Sequence, residues 1–299
     1  MRVLSIGNFG HGWDGSICDE EHIAEALEWQ GHEVHRLQRE DWTSMQKDNF
    51  DFVLIAQWDG FGEVCQAAKI LYKCPIVYWA FDHQDQSQEW HQRLIQGADI
   101  YLSKRIADSI YPNWHWLPQD FSPMFLNRYE HKPERDIDVL FTGSYLPWAT
   151  ERIETLKAVD EKFDLHIYSV TPDQWIAEGF KNVHGPVMDH QLTALIARAK
   201  INLSIDHTIE AGYWSDRNAQ IMACGGFVLF RYVPFSELVF RDKVAYFYNV
   251  DDCLTQIRYY LANTAELKMK ASQGFSHAQN NLLVKHRVQD LLTVVGGIL

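Results

Sequence analysis

Short apolar runs alternate with segments of helical spacing along the whole chain. Arg2–Gly7 reads as a buried strand with a glycine-rich loop behind it. Glu20–Gln30 reads as a helix with Ile23, Ala26 and Leu27 on its apolar stripe and Gly31 as its stop. Further strands are predicted at Glu33–Leu37, Phe52–Gln57, Ile76–Phe81, Ile100–Ser103 and His115–Leu117. Helices fall over Val64–Leu71 and from near Gln88. Pro118–Asp136 breaks the pattern with Pro118, Pro123, Pro133 and the clustered charges Arg128, Glu130, Lys132, Glu134 and Arg135, as an interdomain linker does. The alternation then restarts with strands at Asp138–Thr142, Leu165–Ser169, Ile201–Ile205, Phe227–Phe230 and Ala245–Tyr248. Helices are predicted at Ile153–Val159, Leu192–Ala199 and Asp216–Ala223, and from Asp251 nearly to the end.

Strands interleaved with helices in this way argue for parallel sheets covered on both faces. The prediction is an α/β chain of two Rossmann-like domains, residues 1–120 and 136–283, joined by a linker over 121–135. Two such domains would set the carboxyl ends of their strands across a cleft, and ligands bind outside those ends in this class.

Composition agrees and narrows the choice. A length of 299 residues favours two domains at about 100–200 residues each. With 46% hydrophobic and 22% charged residues the chain is an ordinary globular one. No run approaches the about 18 apolar residues of a membrane span, and Met1–Gly7 is too short for a secretory segment. The five cysteines at 18, 65, 74, 224 and 253 contain no CxxC pair, which argues against a disulfide framework or structural zinc and for a reducing, cytoplasmic setting. The net charge of −13 is uneven: residues 1–125 hold nine Lys/Arg against nineteen Asp/Glu, the remainder eighteen against twenty-one. An acidic first half repels polyanions at long range. Eight of the eleven tryptophans precede residue 117, most of them fit for a core and a few for a platform under a sugar or base.

Four loops carry candidate chemistry. The first runs from Gly7 to Gly15; its spacing, G-x-x-G-x-G, differs from the dinucleotide G-x-G-x-x-G. Gly12 there is a close-approach candidate for a donor ligand, and His11 and Asp14 are acid–base candidates or else polar groups of a solvated turn. The second holds Asp82, which either orients a hydroxyl and takes its proton or caps the following helix. The third, Phe141–Tyr145, contains Gly143 and Ser144, whose amides suit a phosphate, with Arg152 following. The fourth runs from Tyr213 to Leu229. Ser215 is the expected N-cap, Arg217 supplies a guanidinium fork for a diphosphate, and Gln220 lies one turn on, within reach of a ribose hydroxyl. The bland alternative is an ordinary helix with an exposed arginine. No HxxxH, HExxH, G-x-S-x-G or G-x-x-x-x-G-K-[ST] pattern occurs, so metalloenzyme, serine hydrolase and P-loop readings lack support.

Ser-x-Arg-x-x-x-x-Met-Ala-Cys-Gly-Gly-Phe-Val-Leu, at 215–229, resembles the nucleotide-sugar domain of GT-B glycosyltransferases, closest to the CgeB-like group related to glycosyltransferase family 4. Leu117–Pro123, Asp138–Ser144, Ala199–Ser204, Asp251–Leu261 and Gly274–His286 resemble further segments of that group, and Tyr78–Asp82 its Trp-x-x-Asp element. The resemblance covers about residues 117–287 and is thin before them. It implies a nucleoside diphosphate sugar as co-substrate, no cofactor or metal, and transfer with retention. It implies that Arg217, the amides near Ser215, Arg152 and Ser144 neutralise the leaving diphosphate. Asp82, His11 or Asp14 would serve an acceptor hydroxyl in the first half, and closure of the two halves would exclude water. A last helix over 284–299 would cross back to the first domain. The acidic first half and its tryptophans favour a carbohydrate or small-molecule acceptor. Two alternatives stand beside it: a phage-type enzyme acting on hydroxylated DNA bases, and a binding protein without turnover. The chain departs from the family at Gln220, where the family carries Glu; a glutamine accepts a hydroxyl through its carbonyl but brings no charge.

Overall fold

The computed structural model describes residues 1–12, 16–56, 62–81, 88–118 and 135–298. The chain divides into two compact units. The first comprises Met1–Gln119, Ala211–Tyr213 and Val284–Leu299; the second comprises Asp120–Glu210 and Trp214–Leu283. The proposed linker, 121–135, lies outside the described residues except for Arg135, whose Nη1 donates to Ala199 O at 3.1 Å.

The first unit is a six-stranded parallel sheet of β1 (Arg2–Gly7), β2 (Glu33–Gln38), β3 (Phe52–Ala56), β4 (Ile76–Trp79), β5 (Ile100–Ser103) and β6 (Trp114–Trp116), in the order β2-β1-β3-β4-β5-β6. Its helices are α1 (Asp19–Trp29), α2 (Val64–Leu71) and α3 (Glu89–Gly97). β3, β4 and β5 are buried along their whole lengths, which is why they read as unbroken apolar runs instead of alternating ones. β4 ends two residues earlier than its apolar run. Ala80 and Phe81 stay buried, but only the Ala80 amide follows the ladder, donating to Leu102 O at 2.9 Å. Apolar character reports burial and not strand pairing. β6 begins one residue before the prediction. Trp114 and Trp116 fix it by donating their indole N–H groups to Ser103 Oγ and Lys104 O, both at 2.9 Å.

The second unit repeats the architecture. Its strands are β7 (Ile137–Thr142), β8 (Leu165–Tyr168), β9 (Asn182–His184), β10 (Ala199–Ser204), β11 (Val228–Arg231) and β12 (Ala245–Phe247). They are parallel, in the order β12-β11-β10-β7-β8-β9. The helices are α4 (Thr150–Lys162), α5 (Pro172–Ala177), α6 (Asp189–Arg198), α7 (Arg217–Ala223), α8 (Ser236–Phe240), α9 (Val250–Ala262) and α10 (Thr264–Asn281). α5 and β9 have too few residues to show a period. The fully buried Trp175 anchors α5 through edge contacts with Phe141, Tyr145 and Phe180. The last helix, α11 (Val284–Gly296), belongs to the first unit. It packs on α1, where Gln30 Nε2 donates to Lys285 O at 3.0 Å and the Lys285 ammonium sits 5.5 Å from the Trp29 ring centre. No helix among the described residues is long and apolar enough to cross a membrane.

Each sheet reverses its strand order once, between β1 and β3 in the first unit and between β7 and β10 in the second. The carboxyl ends at such a reversal are where open α/β sheets leave room for a ligand.

Candidate functional site

At the second unit's reversal, β7 ends in Thr142 and turns at Gly143-Ser144, while β10 runs into Ile205 and Asp206. Arg217 joins the two. Its Nε donates to Thr142 O at 2.8 Å and its Nη1 to Ile205 O at 3.5 Å, so one guanidinium ties off the carboxyl ends of both strands. Nη1 also donates to Ser215 Oγ at 3.3 Å and lies 3.8 Å from Asp206 Oδ1. The second fork nitrogen, Nη2, lies beside Gly143. A methyl group on Gly143 would come within 3.2 Å of it and within 3.0 Å of the Phe141 ring. A side chain at 143 would crowd both groups by a few tenths of an ångström, so glycine lets Nη2 lie close to the turn.

Phe141 underlies two cations. The Arg217 and Arg152 guanidinium carbons lie 5.4 and 5.7 Å from its ring centre. Arg152, in the first turn of α4, donates from Nη1 to Ser144 O at 3.4 Å. Two like charges stacked on one buried ring favour an anion between or above them. Arg231, the last residue of β11, pairs through Nε with Glu151 and adds a third guanidinium to this edge of the sheet.

The local helix differs from the prediction. Ser215 is not the N-cap of α7: Asp216 holds that place, in helical conformation, with no side-chain cap bond. The Ser215 amide, expected free for a phosphate, donates to Asp206 Oδ1 at 3.1 Å. With α7 only seven residues long, the site rests on arginine side chains more than on a helix end. Gln220 donates from Nε2 to Asp216 Oδ2, which orients its carbonyl oxygen. Burial pushes the Cys224 thiol up to about 12, so it is inert as a nucleophile.

The structure therefore gathers Gly143, Ser144, Arg152, Ser215 and Arg217 at one corner and leaves Gln220 a turn away; the Gly143 amide, expected to suit a phosphate, instead donates to Tyr168 O at 3.0 Å. Sequence reasoning missed Phe141 as a platform, and Asp206 and Arg231 altogether. Asp206 follows a strand that alternates apolar and polar residues, Ile201–Ile205, and its position directly after that strand was the available signal.

The first unit's reversal is built differently. The amides of Asn8 and Gly10 donate to Glu20 Oε1 and Glu21 Oε2, at 3.2 and 3.3 Å, and that of Phe9 to Gln38 Oε1 at 3.1 Å. The Gly12 amide, expected to meet a donor ligand, donates to Ser16 O at 2.8 Å. His11 is exposed and bridges backbone to backbone with Ile17. Asp14 and Asp82 lie outside the described residues.

Sucrose-phosphate synthase from Thermosynechococcus elongatus superposes with a TM-score of 0.71 at 11% identity, over 100% of this chain and 99% of that one. The Anabaena protein HepE, in complex with UDP-glucose, gives 0.72 at 10%, over 99% and 100%. An alpha-glucosyltransferase in complex with UDP and a 13-mer DNA gives 0.70 at 10%, over 99% and 100%.

The fold is that of the GT-B glycosyltransferases.

Residues 150–293 also match the family model described as glycosyl transferase-like. Comparison with curated protein sequences finds no match. The arginine corner lies in the GT-B unit that carries the family match, with Arg152, Arg217 and Arg231 inside the matched residues and Phe141 and Gly143 just before them.

Proposed function

We propose that the protein is a glycosyltransferase that holds a nucleoside diphosphate sugar at the arginine corner of its second unit. The observation that carries this reading is Arg217, tied through Nε and Nη1 to the ends of β7 and β10, with Nη2 left beside Gly143. As the glycosidic bond breaks, negative charge grows on the leaving diphosphate oxygen. A guanidinium already held in place stabilises that charge without reorganising. Arg152 adds a second positive charge over the same ring. UDP and UDP-glucose in the similar structures make a uridine diphosphate sugar the first donor to try.

The first unit supplies acceptor recognition, with Asp82, His11 and Asp14 as the groups to receive the hydroxyl proton. Nine basic against nineteen acidic residues in 1–125 favour a carbohydrate or small hydroxylated acceptor over DNA. Retention of configuration and independence of a metal follow from the CgeB-like resemblance of residues 215–229.

Calorimetry with nucleoside diphosphates and their sugars tests the proposal. One nucleotide should bind, and Arg217→Ala should weaken it by about 1.5–3 kcal/mol, the scale of a hydrogen bond to a charged group. A folded protein that binds no nucleotide would overturn it.

A further inference from the structure

Asp206 is a carboxylate placed where burial is costly. Its side chain is only 3% exposed, so it does not itself meet a ligand, and Oδ2 has no hydrogen-bond partner among the described residues. A buried carboxylate needs a compensating charge or donors. Asp206 finds both through Oδ1. That oxygen accepts the Ser215 amide at 3.1 Å and lies 3.8 Å from Arg217 Nη1, an ion pair too long to be a hydrogen bond. Ser215 Oγ in turn accepts from Arg217 Nη1. One oxygen thus fixes the chain two residues before Arg217 and attracts the guanidinium itself. The other acceptors of Arg217 are neutral: two backbone carbonyls and a hydroxyl. Of these only the Nε bond to Thr142 O is short, while the two Nη1 bonds are 3.3 Å or longer, so the buried charge behind Nη1 adds to a weak hold on that edge.

We infer that Asp206 is the positioning residue of the anion site: it holds the Nε and Nη1 edge of Arg217 against the strand ends and so leaves Nη2 facing Gly143. The ligand consequence rests on the nucleotide-binding reading above; the orientation of Arg217 does not. A carboxylate behind the cation also makes the site selective. It keeps Arg217 from closing around any small anion and reserves it for one that reaches Nη2.

The test is a double-mutant cycle of Asp206→Ala and Arg217→Ala, with uridine diphosphate as the probe. Hydrogen exchange of the Arg217 Nε–H is read by NMR alongside. Asp206→Ala should weaken uridine diphosphate by about tenfold in the native background and by little in the Arg217→Ala background, because residues acting through one another are not additive. The Nε–H should exchange about tenfold faster in Asp206→Ala. Asp206→Asn keeps the acceptor for the Ser215 amide without the charge, and should fall between the two. If Asp206→Ala weakens binding equally in both backgrounds, or Nε–H protection is unchanged, the inference is overturned. If the alanine variant does not fold, the isosteric asparagine variant decides by the same exchange measurement. If the unaltered protein binds no uridine diphosphate, the functional reading falls while the Nε–H result still decides the role of Asp206.

Discussion

The two strand-order reversals are the same topological feature with opposite chemistry. In each unit a first strand ends in glycine at the place an α/β sheet offers a ligand, β1 at Gly7 and β7 just before Gly143. Around Gly7 the loop amides are already taken, two of them by carboxylates of α1, and Glu20 packs so closely that a methyl group on Gly7 would lie 2.6 Å from its Cγ. Around Gly143 the amides of Gly143 and Tyr145 are taken too, by Tyr168 O and Thr171 Oγ1, but the packed side chains are guanidiniums on an aromatic ring. Backbone topology fixes where a ligand can approach. The side chains behind the turn decide whether an anion is attracted there or refused.

The largest expected effect breaks the second of these corners. Phe141 is fully buried, and its truncation in Phe141→Ala should cost about 3–5 kcal/mol of stability. It also removes the surface on which Arg152 and Arg217 lie, so nucleoside diphosphate binding should weaken at temperatures where the variant is still folded. Ile6→Ala, at the matching end of β1, should cost about 2–5 kcal/mol and leave nucleotide affinity alone. Denaturation and calorimetry on both variants check the pair. Equal losses of affinity would erase the contrast between the units.

Acid should distinguish the units next. His91 in the first unit is fully buried and shares a 3.2 Å hydrogen bond with the Tyr78 hydroxyl. Burial lowers its pKa to about 4. The unfolded chain therefore takes up this proton before the folded one. The stability concerned is present above the ordinary histidine range and is lost as pH falls from about 6.5 through about 4, by roughly 3 kcal/mol at most. Urea unfolding at pH 7.5 and 4.5 should show the slope, and His91→Gln should flatten it. A slope unchanged in the variant would assign it to other groups.

Legibility in the sequence followed the size of the physical signal. Fully buried strands such as β3 and long helices such as α1 announce themselves by run and period. Short elements held by one large residue, such as α5 under Trp175, have no period to show. The arginine corner was half visible. Arg217 and Gly143 stood in recognisable turns 74 positions apart, yet their meeting through Nη2 is a property of strand order that spacing does not encode. The satisfied amides around Gly10 were illegible for the same reason, since their acceptors Glu20, Glu21 and Gln38 come from other elements.

The smallest expected effect probes whether the occupied first corner can take an anion. If charge alone barred one, neutralising Glu20 and Glu21 together would open a second nucleotide site. The amides are occupied as well as shielded, however. In Glu20→Gln with Glu21→Gln the side-chain carbonyls can still accept from Asn8 and Gly10, so no amide is released. The double variant should lose about 1 kcal/mol of stability, chiefly through weaker hydrogen bonds and the lost ion pair of Glu21 with Arg36 at 3.0 Å. Calorimetric stoichiometry should stay at one nucleotide per chain. A second binding event would mean that the two reversals differ in charge only, and that the loop behind β1 is a latent anion cradle.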